Sequence, residues 1–184
     1  QDLLIANLIF EDKPDRHIDI GSRIDGFVAH VASFREIEVM DIRNLRQTKH
    51  NNIKFILHDI MNKKDGFKEI CDSISSLHAL EHFGLGRYND KLDPSGHLTG
   101  FKNIINMLKV GGKFYISFPI GEKKTIFNQR RVFSYNEILS WDNSLELQRF
   151  DYVDEKGNLK KESNLEDAKN LNYGCGIYTF VKIK

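Results

Sequence analysis

The stretch HIDIGSRIDGF, residues 17–27, decides the fold of this chain. A short apolar run, HIDI, is followed by two glycines, Gly21 and Gly26, that are separated by four residues. Glycines at the end of a strand let the backbone turn sharply and bring its amide groups close to a ligand. Apolar residues then recur at helical spacing between residues 27 and 34. The stretch therefore predicts a strand, a ligand-binding turn and a helix.

Further segments extend this order along the chain. The strand-like runs are IEVMD (37–41), IKFILHD (53–59), SISSL (73–77) and KFYISFPI (113–120). A helical pattern, FKNIINMLK (101–109), precedes the last of them and ends near two glycines. This alternation is typical of a parallel sheet built from βαβ units. The alternating runs LELQRFDYV (145–153) and GIYTFVKIK (176–184) predict two final antiparallel strands.

Composition limits the class of protein. A chain of 184 residues with 40% apolar content suits a single domain spanning residues 1–184. The net charge of +1 provides no general field for nucleic acid or for an anionic membrane. Cys71 and Cys175 are too far apart in sequence to suggest a metal site. No apolar run reaches the roughly 20 residues that cross a bilayer, so we expect no membrane span. Together with the near-neutral charge and the isolated cysteines, this leads us to expect a cytoplasmic protein without nucleic-acid partners. Its oligomeric state stays open.

The glycine turn does not fit two common phosphate-binding motifs. A P-loop requires Lys and Ser or Thr after the second glycine, where Phe27 and Val28 stand. A dinucleotide fingerprint requires a middle glycine, and Arg23 occupies that place. Because neither phosphate-binding motif fits, the turn favours a ligand without phosphate.

Three acidic residues occur at comparable places on successive strands. Asp19 lies on the first strand, Asp41 ends the second, and Asp59 follows the third. A carboxylate at the end of the second strand suits a ribose diol, and one after the third suits an exocyclic amine. Together they predict a nucleoside that carries a cationic substituent.

These segments resemble the motifs of class I S-adenosylmethionine-dependent methyltransferases. HIDIGSRIDGF resembles motif I, VMDIR the second strand end, LHDI the adenine-contacting segment, SISSLHALEHF the fourth-strand motif, and LKVGGKFYISFPIG the fifth strand. The resemblance covers about residues 16–142, and GIYTFVKIK resembles the seventh strand. It implies an α/β, Rossmann-like fold with a mostly parallel seven-stranded sheet, an antiparallel last strand and helices on both faces. The chain is also similar to small methyltransferases of bacterial glycan and surface-polysaccharide clusters, including at FNQRRVFSYNEI.

The resemblance implies a role for each matching residue toward S-adenosylmethionine. One group would face the amino acid part of the cofactor: Asp19, Gly21 and Ser22. Asp41 would bind the ribose, while Asp59 and Ile60 would hold the adenine. Leu77 and His78 would close the cofactor site.

The chemistry of methyl transfer suggests which residues would act on the acceptor. His82, and after it His78, would serve as the general base for an oxygen acceptor. Residues 121–131, GEKKTIFNQRR, form a basic loop, and its Arg130 and Arg131 would bind an anionic group on that acceptor. We expect a small acceptor, such as a sugar or nucleotide-linked sugar hydroxyl, and no metal.

Each of these assignments has a structural alternative. Asp19 could tether the glycine turn, His78 and His82 could be structural hydrogen-bonding residues, and the arginines could belong to a solvated loop. At the level of function, the alternative is a non-catalytic cofactor-binding or interaction protein with the same fold. Arg23 favours that alternative because the family has glycine there. An NAD-dependent oxidoreductase ranks third because the middle glycine is missing.

Overall fold

The computed structural model describes residues 1–44, 49–62, 66–88 and 90–184. Its main sheet contains β1 His17–Ile20, β2 Ile37–Asp41, β3 Ile53–Leu57, β4 Cys71–Leu77, β5 Leu108–Gly121, β8 Leu145–Val153, β9 Leu159–Lys160 and β10 Tyr173–Lys182. A separate two-stranded ribbon consists of β6 Lys124–Ile126 and β7 Arg130–Val132.

Within the described ranges the strand order of the main sheet is β3-β2-β1-β4-β5-β10-β8-β9. The strands from β3 to β5 pair in parallel, whereas β10 is antiparallel to both β5 and β8. This confirms the mostly parallel α/β fold and its antiparallel last strand. The described sheet has eight strands rather than the expected seven. The extra strand, β9, arises because the segment after β8 turns back and pairs with Tyr152 and Val153 at the sheet edge.

Helices cover both faces of this sheet, as expected. They are α1 Asp2–Asp12, α2 Ala29–Ala32 and α3 Gly96–Met107. The apolar side chains of α1 and α2 pack with Val39 and Tyr115 in one buried cluster. Those of α3 pack with Met40 and Phe114 in another. Because neighbouring strand residues point to opposite faces, the two clusters are the cores above and below the sheet.

The helix that follows β1 is shorter than the apolar pattern predicts. A wide helical turn, Ile24–Val28, precedes α2, and Gly26 has non-helical dihedral angles inside it. No helix within the described ranges is long and apolar enough to span a membrane. The parallel strands bring the loops after β1, β2, β3 and β4 to one edge of the sheet, which is where open α/β sheets bind ligands.

Candidate functional site

A cavity of about 380 Å³ opens at the carboxyl ends of β1 to β4. Its walls include the glycine turn, the loops after β2 and β3, the end of β4, and Gln1 and Asp2 at the start of α1. The cavity brings together most of the site residues predicted from the sequence: Gly21, Ser22, Asp41, Asp59, Ile60, Leu77, His78 and His82. The carboxylates of Asp41 and Asp59 therefore share one site although they are 18 residues apart in sequence.

The glycine turn is held tightly against the segment that follows β4. Gly21 has a φ of +82°, a conformation that glycine adopts without strain. A Cβ atom at this position would lie 2.7 Å from the Cβ of Ala79. The Gly21 amide donates to the Met40 carbonyl at 2.9 Å, which ties the turn to β2. This position therefore requires glycine for both conformation and space.

Asp19 lies beneath the turn and does not line the cavity. One of its oxygens accepts from Ser75 Oγ at 2.6 Å and Ser22 Oγ at 3.0 Å, and the other accepts from the Ser22 amide at 3.0 Å. Burial raises the pKa of Asp19 to about 6; the hydrogen bonds from Ser75 and Ser22 oppose the rise, and the charge of Asp41 adds to it. In this structure Asp19 contacts the turn from below, so it would act on a ligand only by positioning Ser22.

Replacing Asp19 by Asn should make stability less dependent on pH. A carboxyl whose pKa is raised in the folded state stabilises the fold below about pH 4 and loses that contribution as the pH rises through about 6. Relative to Asp19→Asn, the unfolding free energy of the parent protein should therefore fall by about 2 kcal/mol between about pH 4 and pH 7. Urea denaturation of both proteins across this range measures the difference. A pH-independent difference would contradict the assignment of the raised pKa to Asp19.

Asp41 is paired with Arg43, a residue to which the sequence motifs assign no role. Asp41 Oδ1 accepts from the Arg43 amide at 2.7 Å and from Arg43 Nε at 2.9 Å, while Oδ2 accepts from Arg43 Nη2 at 2.5 Å. The guanidinium also donates to the Gly21 carbonyl at 3.0 Å and lies 4.7 Å from the centre of the Tyr88 ring. The signal for this pair was present in VMDIR, because Arg43 follows Asp41 by two residues.

The adenine-side residues follow β3 directly. Asp59 Oδ1 accepts from the Met61 amide at 2.9 Å, which shapes a short turn at the cavity wall. Ile60 is 6% exposed and belongs to the core cluster of α3. One carboxylate and one apolar side chain thus lie side by side, an arrangement that suits a flat, partly polar ring.

Two histidines line the far side of the cavity and share a buried carboxylate. His82 Nδ1 lies 2.5 Å from the Gln129 carbonyl, to which it must donate, so the neutral ring keeps Nε2 as an acceptor. His82 Nε2 is 3.8 Å from Glu81 Oε1. His78 Nδ1 lies 2.9 Å from the same Glu81 oxygen. Of the two rings, His82 retains a nitrogen with the proton-accepting capacity that a general base needs.

The two arginines of the basic loop lie outside the cavity lining. Arg131 is 5% exposed, and its guanidinium donates to the carbonyls of Phe83 at 2.6 Å and Pro94 at 3.0 Å. These contacts tie β7 to the segment between β4 and α3. Arg130 lies 5.5 Å from the centre of the Tyr173 ring. Arg131 is thus engaged as a structural crosslink rather than presented to an acceptor, because its donors are used on backbone carbonyls.

Solved structures with a similar fold include methyltransferases. The N-methyltransferase NodS from Bradyrhizobium japonicum WM9, in complex with S-adenosyl-L-homocysteine, is 14% identical with a TM-score of 0.66, over 100% of this chain and 86% of NodS. The 1,6-didemethyltoxoflavin-N1-methyltransferase from Burkholderia thailandensis is 16% identical with a TM-score of 0.64, over 100% of this chain and 79% of that enzyme. The cyclase SpnF is 14% identical with a TM-score of 0.67, over 99% of this chain and 81% of SpnF. Similarity at this level shows a common fold, and folds of this kind host different reactions.

Sequence comparison identifies the family itself. No curated protein sequence matches this chain significantly. A family model described as "Caenorhabditis protein of unknown function, DUF268" matches residues 27–169. The match begins where the glycine turn ends and continues beyond β9. Since it spans most of the chain, this protein belongs to the DUF268 family.

Proposed function

We propose that this protein is an S-adenosylmethionine-dependent methyltransferase that binds its cofactor in the cavity at the carboxyl ends of β1 to β4. The observation that carries the proposal is the convergence of Asp41 and Asp59 on one cavity beside the Gly21 turn. A ribose diol, an amine and a sulfonium are compatible with these carboxylates, and the turn lacks both the P-loop residues and the middle glycine that phosphate-binding turns use. The fold shared with NodS, whose structure contains S-adenosyl-L-homocysteine, supports the same assignment.

Different residues of the cavity would contact different parts of the cofactor. The turn at Gly21 and Ser22 would face the amino acid part, and Asp19 would hold that turn from below. Asp41 would accept hydrogen bonds from the ribose hydroxyls, for which Arg43 must release part of the carboxylate. Asp59 and Ile60 would contact the adenine, and Leu77 and His78 would close the site near the end of β4.

When bound, S-adenosylmethionine supplies a methyl group on a positively charged sulfur. The protein's contribution is to align an acceptor with that group and to exclude water, which can account for most of the acceleration. His82 Nε2 would accept the proton of an oxygen acceptor, because its Nδ1 is committed to the Gln129 carbonyl. Glu81, 3.8 Å away, would stabilise the resulting imidazolium.

For the acceptor, we propose a small molecule with a hydroxyl group, such as a sugar or a nucleotide-linked sugar, in the cytoplasm. The support for this finer assignment is the sequence resemblance to methyltransferases of glycan clusters. Arg130 is the arginine of the basic loop that remains a candidate contact for an anionic acceptor, since Arg131 is committed to carbonyls.

Calorimetric titration with S-adenosylmethionine and S-adenosyl-L-homocysteine tests the cofactor assignment directly. We expect both to bind, and we expect NAD not to compete, since Arg23 stands where a dinucleotide-binding turn needs its middle glycine. Absence of heat and of any thermal shift with both sulfur nucleosides, together with binding of NAD, would reverse the proposal.

A non-catalytic interaction protein with the same fold is the second candidate, and the Asp41–Arg43 pair favours it. An arginine that keeps the ribose-binding carboxylate occupied opposes tight cofactor binding. A radiolabelled methyl-transfer assay against sugars, nucleotide-linked sugars and amines separates the two candidates. Transfer to any acceptor would exclude the non-catalytic function.

A further inference from the structure

A thiol, an imidazole and a carboxylate form a chain of contacts at the edge of the cavity. Cys175 Sγ lies 3.3 Å from His78 Nε2, and His78 Nδ1 lies 2.9 Å from Glu81 Oε1. Cys175 is half-buried, and its sulfur also lies 3.4 Å from Gln1 Oε1. A nucleophile, a base and a group that orients the base stand in this order when a cysteine is activated for nucleophilic chemistry.

The fold brings these residues together from distant parts of the sequence. His78 follows β4 and Cys175 lies on β10, which are separated in the sheet by β5 alone. The His78 amide donates to the Ser117 carbonyl of β5 at 2.9 Å, and Cys175 pairs with Pro119 on the same strand. His78 has a φ of +53°, which is uncommon for a residue with a side chain. Such conformations persist where the surrounding structure enforces them, and they cluster at functional sites.

The charges around His78 favour its protonated ring. Burial alone would lower the pKa of His78, but its hydrogen bonds with Cys175 and Glu81 outweigh burial and raise the pKa to about 10. A cationic imidazole within contact distance of a sulfur stabilises a thiolate, which is the nucleophilic form of cysteine. Burial raises the pKa of the second cysteine, Cys71, to about 12, so its thiol stays protonated.

Glu81 is the residue that positions the imidazole. It is 1% exposed, and its Oε2 has no hydrogen-bond partner within the described ranges. A buried carboxylate is costly unless it is paired, so its contact with His78 is its main compensation. Removing its charge should therefore change how His78 holds its proton.

We propose that Cys175 is a reactive thiol site in which His78 is the acid-base partner and Glu81 the positioning residue, and that it exchanges with small disulfides. The thiolate of Cys175 attacks one sulfur of a low-molecular-weight disulfide, the sulfur–sulfur bond breaks, and a mixed disulfide forms on Cys175. The leaving sulfur departs with the electron pair of that bond and takes the proton held by His78. The site does not depend on methyl transfer.

The position of Cys175 gives the modification a structural consequence. Gln1 and His78 contact its sulfur and also line the cavity. A group attached to Cys175 would therefore occupy the rim of the cavity. The partly covered sulfur favours a small reagent over a protein disulfide, because a bulky partner would have to displace Gln1.

Rates of modification of the full chain by iodoacetamide and by oxidised glutathione, followed by peptide mass spectrometry, test the proposal. At about pH 6 we expect Cys175 to react about tenfold faster than free glutathione, because an ordinary thiol is almost fully protonated there. His78→Asn and Glu81→Gln should each remove this advantage and shift the rate toward the pH profile of an ordinary thiol. Cys175→Ser should abolish the modification.

Cys71 provides the internal control, since it is fully buried and should stay unmodified in every folded variant. Rapid labelling of Cys71 would identify a variant that has unfolded. If one of His78→Asn and Glu81→Gln unfolds, the comparison of the parent protein with the other variant tests the proposal. The proposal is overturned if Cys175 of the parent protein reacts no faster than glutathione from about pH 5 to 9. Folded variants that keep the parent profile would overturn it equally.

Discussion

Replacement of Arg131 by methionine is expected to lower the unfolding free energy by about 3 to 6 kcal/mol. The reason is that its buried guanidinium makes two short hydrogen bonds to backbone carbonyls, of Phe83 and Pro94. Hydrogen bonds from a charged group contribute about 1.5 to 3 kcal/mol each. Methionine preserves much of the side-chain volume but leaves both carbonyls without a donor. Urea denaturation followed by circular dichroism measures the loss.

Arg130→Met is the matched control, since Arg130 is the neighbouring residue on the same ribbon. Its guanidinium lies 5.5 Å from the Tyr173 ring, a contact worth about 0.5 to 1 kcal/mol at a partly exposed site. We expect its removal to cost no more than about 1 kcal/mol. Equal losses for the two variants would show that the carbonyl contacts of Arg131 are not what stabilises this region.

Replacement of Asp41 by alanine is expected to weaken binding of S-adenosylmethionine by about 10- to 150-fold. If the ribose hydroxyls donate to this carboxylate, the lost hydrogen bonds to a charged group amount to about 1.5 to 3 kcal/mol, which converts to that range. Asp41 is only 5% exposed, so water would not replace the lost acceptors easily. Calorimetric titration of the folded variant gives the change in Kd.

Two further variants separate the carboxylate from its ion pair. Arg43→Ala removes the pair but keeps the carboxylate, so we expect binding at least as tight as in the parent protein. Asp151→Ala removes a similar pair, in which Arg149 Nε lies 2.7 Å from Asp151 Oδ2 on β8, away from the cavity. That change should reduce stability without altering the Kd. Unchanged affinity in Asp41→Ala would remove this residue from the cofactor site.

The order of the elements was predictable because it depends on local patterns. The runs HIDI, IEVMD and IKFILHD predict strands from their apolar content, and the structure has strands over the first two runs and over Ile53–Leu57 of the third. Since parallel strands share one carboxyl edge, the same patterns predict that Asp19, Asp41 and Asp59 line that edge. Asp41 and Asp59 line the cavity there, whereas Asp19 lies beneath the glycine turn. The added strand β9 was not predicted, because a two-residue pairing at a sheet edge leaves little trace in sequence.

The contacts of individual polar side chains were harder to predict from the sequence. Asp19 and Asp41 both lie near the carboxyl edge of the sheet, yet Asp19 lies under the glycine turn and Asp41 lines the cavity. Arg130 and Arg131 are adjacent and chemically equal in the sequence, but strand alternation sends their side chains to different surroundings. Only the packed structure supplies the carbonyls that engage Arg131.

By itself, the amino-acid sequence determined the fold class, the glycine turn and the acids at the strand ends, because each of these follows from periodicity or from a residue's own backbone preferences. The tertiary structure alone decided which oxygen atoms each cationic side chain contacts, as when Arg43 donates to Asp41. It also decided which residues distant in sequence come into contact, as His78 and Cys175 do. Contacts between residues 97 positions apart depend on how strands are ordered in the sheet and on which face each side chain occupies. Those are properties of the assembled chain, and no local segment contains them.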